Sequence, residues 1–307
     1  MPDTNVQTNS AVYAPSWSEY LEVRGVRYHV RHWGRAGAPP IFLFHGWMDV
    51  SATWQFLVDE LIAQSSQDWH FIAPDWSGYG LSEPRPGGSL FIGYLADMEK
   101  LINAYSPAEQ QVKIIAHSMG ANLSAMYTGA RADRVSHLVN IEGLAPVPQA
   151  AYSGSVAKSI ARWLDGSRGA TKVYQSRIEF AERLREKNAR LKPAWATFLA
   201  EHFLQALPEG GFVPRADVET RQITPIYPHA EQIEEVLRNI RAKVLVCRGG
   251  KSFVTAAFEK NSLVLDARLK CYQHRKDLVL EDASHNLHHE FPERVAAETL
   301  SLFSEPK

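Results

Sequence analysis

The sequence lacks the features that mark secreted, membrane-spanning or disulfide-stabilised proteins. Its 307 residues include only two cysteines, Cys247 and Cys271, whose spacing fits neither a metal nor a redox motif, so we expect two reduced thiols. No apolar run is long enough to cross a bilayer. The N-terminal segment MPDTNVQTNSAVYAP has neither the basic start nor the apolar core of a signal peptide. We therefore expect a cytoplasmic protein.

An excess of charge of one sign is also lacking. Lys and Arg number 33, Asp and Glu number 34, and no long run of one sign occurs. Neither a nucleic-acid-binding stripe nor a polybasic membrane patch is expected. With 45% hydrophobic and 22% charged residues, the composition is that of an ordinary globular domain, and the length suits one large domain or a core with an insertion.

What the sequence does have is a regular alternation of apolar strands and helical segments. The runs PIFLFHGW, HFIAPDWSGYG, QVKIIAHS and VSHLVNIEG are each apolar and each end in a loop. Strands that are apolar throughout are typical of a parallel sheet covered on both faces. The sequence therefore predicts an α/β fold with a mostly parallel, doubly wound sheet, preceded by a hairpin around Arg24-Gly25.

The alternation stops between about Pro146 and Ala230, where the sequence is helical and loop-rich and shows no clear strand. It resumes with KVLVCRG and DLVLEDA. We interpret residues 1–145 and 231–307 as one core and 146–230 as a helical cap inserted over the carboxyl ends of the strands, where active sites of such sheets lie. Most aromatic residues of this insertion should pack it onto the core and some should line a pocket: Trp163, Tyr174, Phe180, Trp195, Phe198 and Phe203.

The segment IIAHSMGAN places Ser118 between a predicted strand and a predicted helix. Ala116 and Gly120 complete the pattern small-x-Ser-x-Gly, which suits a sharp turn that lifts the serine oxygen above the sheet edge. The same turn would aim the N–H of Met119 at an oxyanion, at the positive end of the helix. Serine is also a common helix cap, so the local pattern alone leaves a structural role open.

A nucleophilic serine needs a base, and His285 stands in the loop after the last predicted strand. The neighbouring run HNLHHE is compatible with a metal site, although its spacing does not provide three or four converging zinc ligands. We expect no metal here and interpret His288 and His289 as surface or helix-start residues.

Four segments in order carry a resemblance to a known family: FLFHGWMD, APDWSGYGLSEP, IAHSMGAN and EDASHNLHHEFPERVA. Together they resemble the α/β-hydrolase superfamily and, within it, serine hydrolase-like proteins of haloalkane-dehalogenase type, which carry a helical cap. The resemblance covers nearly the whole chain and is weakest in the insertion. It implies Ser118 as nucleophile, His285 as base and no cofactor. A serine nucleophile argues against dehalogenase or epoxide-hydrolase chemistry, in which an aspartate attacks.

The resemblance also implies an oxyanion loop at His45, Gly46 and Trp47. The N–H of Trp47 would then face that of Met119. By the same resemblance, Asp75 lies in a turn beneath the active site and has a structural role.

The acid that would orient His285 is harder to assign. The family commonly has an aspartate soon after the glycines of KVLVCRGG, where this sequence reads KSFVT. Glu142, at the end of VSHLVNIEG, is the best-placed carboxylate to hold the imidazole. It could instead be a hinge residue bonded to backbone amides, and Asp282 is the second choice.

These residues predict a serine hydrolase that cleaves carboxylic esters or lactones without a cofactor. A cofactor-free oxygenase or lyase could use the same residues, since some relatives of the superfamily do so, and a binding protein with a relic triad is a third possibility. We expect a small-molecule ester or lactone as partner, no nucleic acid or membrane, and a monomer or homodimer.

Overall fold

The computed structural model describes residues 13–144, 156–166, 171–221, 228–259 and 262–305. Its main sheet has eight strands in the order β1-β2-β4-β3-β5-β6-β9-β10. These strands are β1 Ser16–Val23, β2 Val26–Gly34, β3 Pro40–Phe44, β4 His70–Pro74, β5 Val112–His117, β6 Val135–Ile141, β9 Lys243–Gly249 and β10 Arg275–Leu280.

The sheet is mostly parallel, which confirms the predicted fold class. Strand β1 pairs with β2, and β2 with β4, in antiparallel fashion, while the pairs from β4 to β10 are all parallel. The hairpin predicted around Arg24-Gly25 is confirmed by the β1–β2 pairing. Because β5, β6, β9 and β10 are consecutive neighbours, the loops after them meet at one edge of the sheet.

Helices cover both faces of the sheet. On one face, α2, α3 and α7 contribute buried side chains such as Met98, Leu123 and Ile233, and on the other face α1 and α11 contribute Leu57 and Val295. The α-helices are α1 Gln55–Gln64, α2 Phe91–Tyr105, α3 Met119–Ala130, α4 Val156–Leu164, α5 Arg177–Lys187, α6 Pro193–Phe203, α7 Ala230–Arg238, α8 Phe253–Glu259, α9 Ser262–Lys270, α10 Leu287–Glu290 and α11 Pro292–Ser304.

The segment between β6 and α7 is helical with one exception. Helices α4, α5 and α6 lie here, but β7 Leu204–Ala206 and β8 Phe212–Pro214 form a small antiparallel pair. The prediction that this segment has no strand is therefore wrong. Gly210 and Gly211, both at positive φ, turn the chain back and allow the pairing. Residues 146–155, 167–170 and 222–227 of the predicted cap lie outside the described residues.

Aromatic side chains attach this segment to the core, as predicted. The ring of Phe56, in α1, stacks on Trp195 with centroids 4.2 Å apart and also contacts Phe198. Tyr174 and Phe180 are buried in the same cluster.

Both cysteines are free and buried. Burial raises the pKa of each thiol, so neither has thiolate character near neutral pH. No helix in the described parts of the chain combines the length and apolarity that a membrane span requires.

Two glycines in helices provide a matched test of the packing at the edge of the sheet. A Cβ on Gly120, in α3, would lie 2.2 Å from the carbonyl oxygen of Phe44, whereas a Cβ on Gly93, in α2, would meet nothing within 4 Å. We expect Gly93→Ala to raise the free energy of unfolding by about 0.5–1 kcal/mol, because alanine is the better helix former. Gly120→Ala should lower it by about 1–3 kcal/mol through overpacking. Denaturant unfolding measures both, and equal tolerance of the two changes would contradict the close approach of α3 to β3.

Candidate active site

Three side chains predicted from the sequence meet at the carboxyl edge of the sheet. The Oγ of Ser118 lies 2.9 Å from Nε2 of His285, and Nδ1 of His285 lies 3.2 Å from Oε2 of Glu142. A carboxylate only accepts hydrogen bonds, so Nδ1 carries the proton and Nε2 is left to accept from the serine hydroxyl. Glu142 is fully buried and His285 is partly exposed. This is the geometry of an activated nucleophile, its base and an orienting acid.

Ser118 has the backbone conformation of a sharp strand-to-helix turn. Its φ of 51° and ψ of −115° lie outside the regions that most residues adopt. Close packing holds it there, since α3 approaches the backbone of β3 at Gly120, and a Cβ on Gly143 would lie 2.3 Å from the Cβ of Ala121. Strain of this kind is common where a nucleophile must project from a sheet.

Glu142 is held by three donors. Its Oε1 accepts a hydrogen bond from the Gly249 N–H at 2.7 Å, and its Oε2 accepts from the hydroxyl of Ser252 as well as from His285. Its own N–H donates to the carbonyl of Cys247 at 3.0 Å. The carboxylate therefore has a fixed position and orientation. Ser252 is a site residue that sequence reasoning missed, and its only sequence signal is its place in the loop after β9.

Asp282, the second candidate for the acid, faces away from this arrangement. Its side chain is 61% exposed and pairs with Lys251 at 2.7 Å and with Arg190 at 3.5 Å. The structure thus brings Glu142, and not Asp282, to the imidazole of His285.

His45 fixes the loop that follows β3. Its Nε2 accepts a hydrogen bond from the Trp76 N–H at 3.0 Å, so its Nδ1 carries the proton and donates to the Gly46 carbonyl at 2.8 Å. The carbonyl of His45 accepts from the indole N–H of Trp76. Burial lowers the pKa of His45 to about 4, so the ring stays neutral near pH 7.

This loop lies directly against the serine. A Cβ on Gly46 would be 3.2 Å from the Cβ of Ser118, so a glycine suits the contact. The half-exposed side chain of Trp47 donates from its indole to the carbonyl of Thr220 at 2.9 Å, which ties the loop to the segment between β6 and α7. Met119 is the first residue of α3, where an N–H has no acceptor within the helix.

Asp75 organises the turn beneath this loop. Its carboxylate contacts Nδ1 of His29 at 2.7 Å and accepts from the backbone N–H groups of Ser51 and Leu81. Burial would raise the pKa of Asp75, but the hydrogen bond and charge of His29 outweigh it and lower the pKa to about 2. These contacts hold loops together and do not reach the serine.

His288 and His289 are buried, so of the two settings predicted for them the helix start is confirmed and the surface position is wrong. Both lie in α10. Their rings continue a series that begins at His285, with centroids 4.7 Å apart to His117, 4.4 Å from there to His288 and 4.1 Å to His289. They are accommodated because Thr53 lies within hydrogen-bond distance of both His288 and His289, a partner that is distant in sequence.

Burial of these histidines predicts a pH-dependent stability. Burial lowers the pKa of His45 and of His289 to about 4, below the usual value near 6.5. The unfolded chain therefore binds more protons between these values, so stability present above about pH 6.5 is lost as pH falls toward 4, by about 1.4 kcal/mol per pH unit for each such group. Urea unfolding at pH 7.5 and pH 5 would measure the loss.

A matched pair of variants assigns the effect. His289→Gln should reduce the difference between the two pH values, whereas His274→Gln, at an exposed position, should not. A pH difference left unchanged by His289→Gln would contradict the neutral, buried state of that ring.

Comparison with known proteins places the chain among hydrolases. Residues 39–292 match the sequence profile of a family described as "alpha/beta hydrolase fold". The chain is 29% identical to a "Serine hydrolase-like protein" of Danio rerio, over 90% of this chain and 84% of that protein. It is 22% identical to a "Probable serine hydrolase" of Drosophila melanogaster, over 99% and 94%. The solved structure titled "Thioesterase Domain From Curacin Biosynthetic Pathway" is similar with a TM-score of 0.82 at 22% identity, covering 94% of this chain and 99% of that one.

Proposed function

The chain belongs to the α/β-hydrolase fold family, and from that premise we propose that it cleaves carboxylic esters or lactones through an acyl-enzyme on Ser118. The observation that carries the proposal is the hydrogen-bonded series from Ser118 through His285 to the buried carboxylate of Glu142. The serine hydrolase-like relatives support hydrolysis as the reaction class.

The geometry suggests the order of steps. Ser118 Oγ attacks the substrate carbonyl while Nε2 of His285 takes the hydroxyl proton. Glu142 stabilises the positive imidazole, and the N–H groups of Trp47 and Met119 hold the oxyanion. The intermediate collapses, the bond to the alcohol oxygen breaks, and His285 returns the proton to that oxygen. A water molecule, deprotonated by His285, then releases the acid and restores the serine.

Apolar side chains beside the triad favour a substrate with an apolar acyl or alcohol part. The ring of Phe253 lies 4.5 Å from that of His285, measured between centroids, and is largely exposed. Trp47 is also exposed over half its surface and bonds to Thr220, in the segment between β6 and α7 that we propose as the cap. Such surfaces at the rim of a site are where apolar substrate groups would be buried.

The nucleophile is tested by Ser118→Ala. We expect the rate constant for p-nitrophenyl esters to fall by on the order of 10⁴-fold or more, because losing one member of a triad commonly costs that much. The protein should keep its fold and lose labelling by a fluorophosphonate probe, while Ser301→Ala, an exposed change on α11, should retain both activity and labelling. Ester hydrolysis by Ser118→Ala at near wild-type rate would contradict the proposal. Oxygen consumption without ester turnover would favour the oxygenase alternative.

The acid is tested by comparing Glu142→Gln with Asp282→Asn. The glutamine amide oxygen can still accept from Gly249, but its NH₂ group can favour the wrong imidazole tautomer. We therefore expect turnover to fall by on the order of 10³–10⁴-fold. Asp282→Asn should have little effect, because that side chain is exposed and remote from the imidazole. The assignment would be wrong if Asp282→Asn were the crippling change and Glu142→Gln nearly silent.

A further inference from the structure

A second cluster of ligand-type side chains lies behind the proposed triad. Asp49 lies in the loop after β3, His117 ends β5 and His288 lies in α10. One possible ligand atom from each lies within 4.8 Å of the other two. All three side chains are buried, with exposures of 7%, 3% and 0% respectively.

The two imidazoles each have a ring nitrogen without a partner. Nε2 of His117 lies 2.9 Å from the carbonyl oxygen of His285, so this nitrogen carries the proton and Nδ1 has a free lone pair. Nδ1 of His117 and Nδ1 of His288 are both buried and have no hydrogen-bond partner among the residues described. Leaving such atoms unpaired costs about 1–3 kcal/mol each.

The carboxylate of Asp49 has hydrogen bonds but no counter-charge. It accepts a hydrogen bond from the Val50 N–H at 2.8 Å, and the Gly46 backbone and the Thr53 side chain lie close enough to interact with it. Within the described ranges, no Lys or Arg forms an ion pair with it. A buried carboxylate without a cation is expensive, and a bound dication would relieve that cost.

Gly46, which has no side chain, leaves space beside this cluster. A Cβ at this position would lie 3.0 Å from Nδ1 of His117, so the absence of a side chain keeps that buried nitrogen from being crowded. The backbone of the same glycine also interacts with the carboxylate of Asp49.

We propose that Asp49, His117 and His288 form a binding site for a transition-metal dication of the zinc class. Two imidazoles and one carboxylate suit such ions better than they suit Mg²⁺ or Ca²⁺, which prefer oxygen ligands. Zinc bonds of about 2.0–2.2 Å hold their donors roughly 3.3 Å apart, and the three donor atoms lie within 4.8 Å of one another, so binding would draw any wider pair closer. Water would complete the coordination.

The bound metal would inhibit the enzyme, a consequence that rests on the proposed function. Nε2 of His117 holds the carbonyl of His285, and His117 directly precedes Ser118. Drawing the His117 ring toward a metal would therefore displace both the base and the nucleophile. The metal would not contact the substrate, so we expect kcat to fall with little change in KM.

Zinc binding is tested on the full chain carrying Ser118→Ala, stripped of metal by a chelator, by competition of Zn²⁺ with a chromogenic chelator and by the visible spectrum of bound Co²⁺. We expect one ion per chain. Adding His288→Gln should weaken binding at least tenfold, whereas adding His285→Gln or His274→Gln should not.

Asp49→Asn, which keeps an acceptor for the Val50 amide, provides a second ligand variant if His288→Gln fails to fold. Loss of binding in His285→Gln with retention in His288→Gln would place the ion at the triad and overturn the proposal. The absence of saturable binding would do so as well.

Inhibition is tested separately on the wild type. Zn²⁺ should lower kcat for a p-nitrophenyl ester, a chelator should restore it, and His288→Gln should keep its own basal rate when Zn²⁺ is added. If the metal-free wild type hydrolysed no ester, the proposed function would fail while the binding result stood. Equal inhibition of wild type and His288→Gln would overturn the inhibitory role.

Discussion

The hydrogen bonds of the Glu142 carboxylate hold together the loops at the carboxyl edge of the sheet. Its backbone leaves β6 at a φ of 58°, and its N–H donates to the carbonyl of Cys247 in β9. Its side chain then gathers the Gly249 amide, the Ser252 hydroxyl and the His285 imidazole. One buried group therefore joins the loops after three neighbouring strands. Removing it would leave several polar groups unpaired at once, which is why its hydrogen bonds and its proposed catalytic role are hard to separate without a conservative change such as glutamine.

The second constraint is the close approach of backbones beside Ser118. Gly46 and Gly120 stand where a side chain would meet the serine or the end of β3, and this closeness lets Ser118 hold an unfavourable φ of 51°. A strained residue persists only where surrounding contacts determine it fully. The sheet makes these contacts rigid, because β3, β5 and β6, which surround Ser118, are buried on both faces. The position of the serine oxygen thus follows from the close packing of the backbone at Gly46 and Gly120.

Much of this arrangement could be read from local sequence patterns. Apolar runs predicted the parallel sheet, and the turn residues around Ser118 and the place of His285 after the last strand predicted that the two would meet. Glu142 was predictable as the carboxylate at a strand end, since neighbouring parallel strands end side by side. Ser252 was not, because a serine in a loop has no pattern of its own. The pairing of β7 with β8 was missed because three-residue strands are too short to show a period.

The burial of His288 and His289 was not predicted, for a physical reason that bears on the chemistry of the site. A polar run such as HNLHHE predicts surface when only adjacent residues are considered, but Thr53, far away in the sequence, supplies partners in the core. Burial then keeps the rings of His117 and His288 neutral, since it lowers the pKa of both well below the usual range. A neutral imidazole has one ring nitrogen with a lone pair. Where no hydrogen-bond donor contacts that nitrogen, the lone pair can bind a metal ion. Desolvation therefore removes these two rings from proton transfer near neutral pH and makes them better metal ligands. The partly exposed His285, beside His117, lies within hydrogen-bond distance of the Ser118 hydroxyl and is the base of the mechanism that we propose.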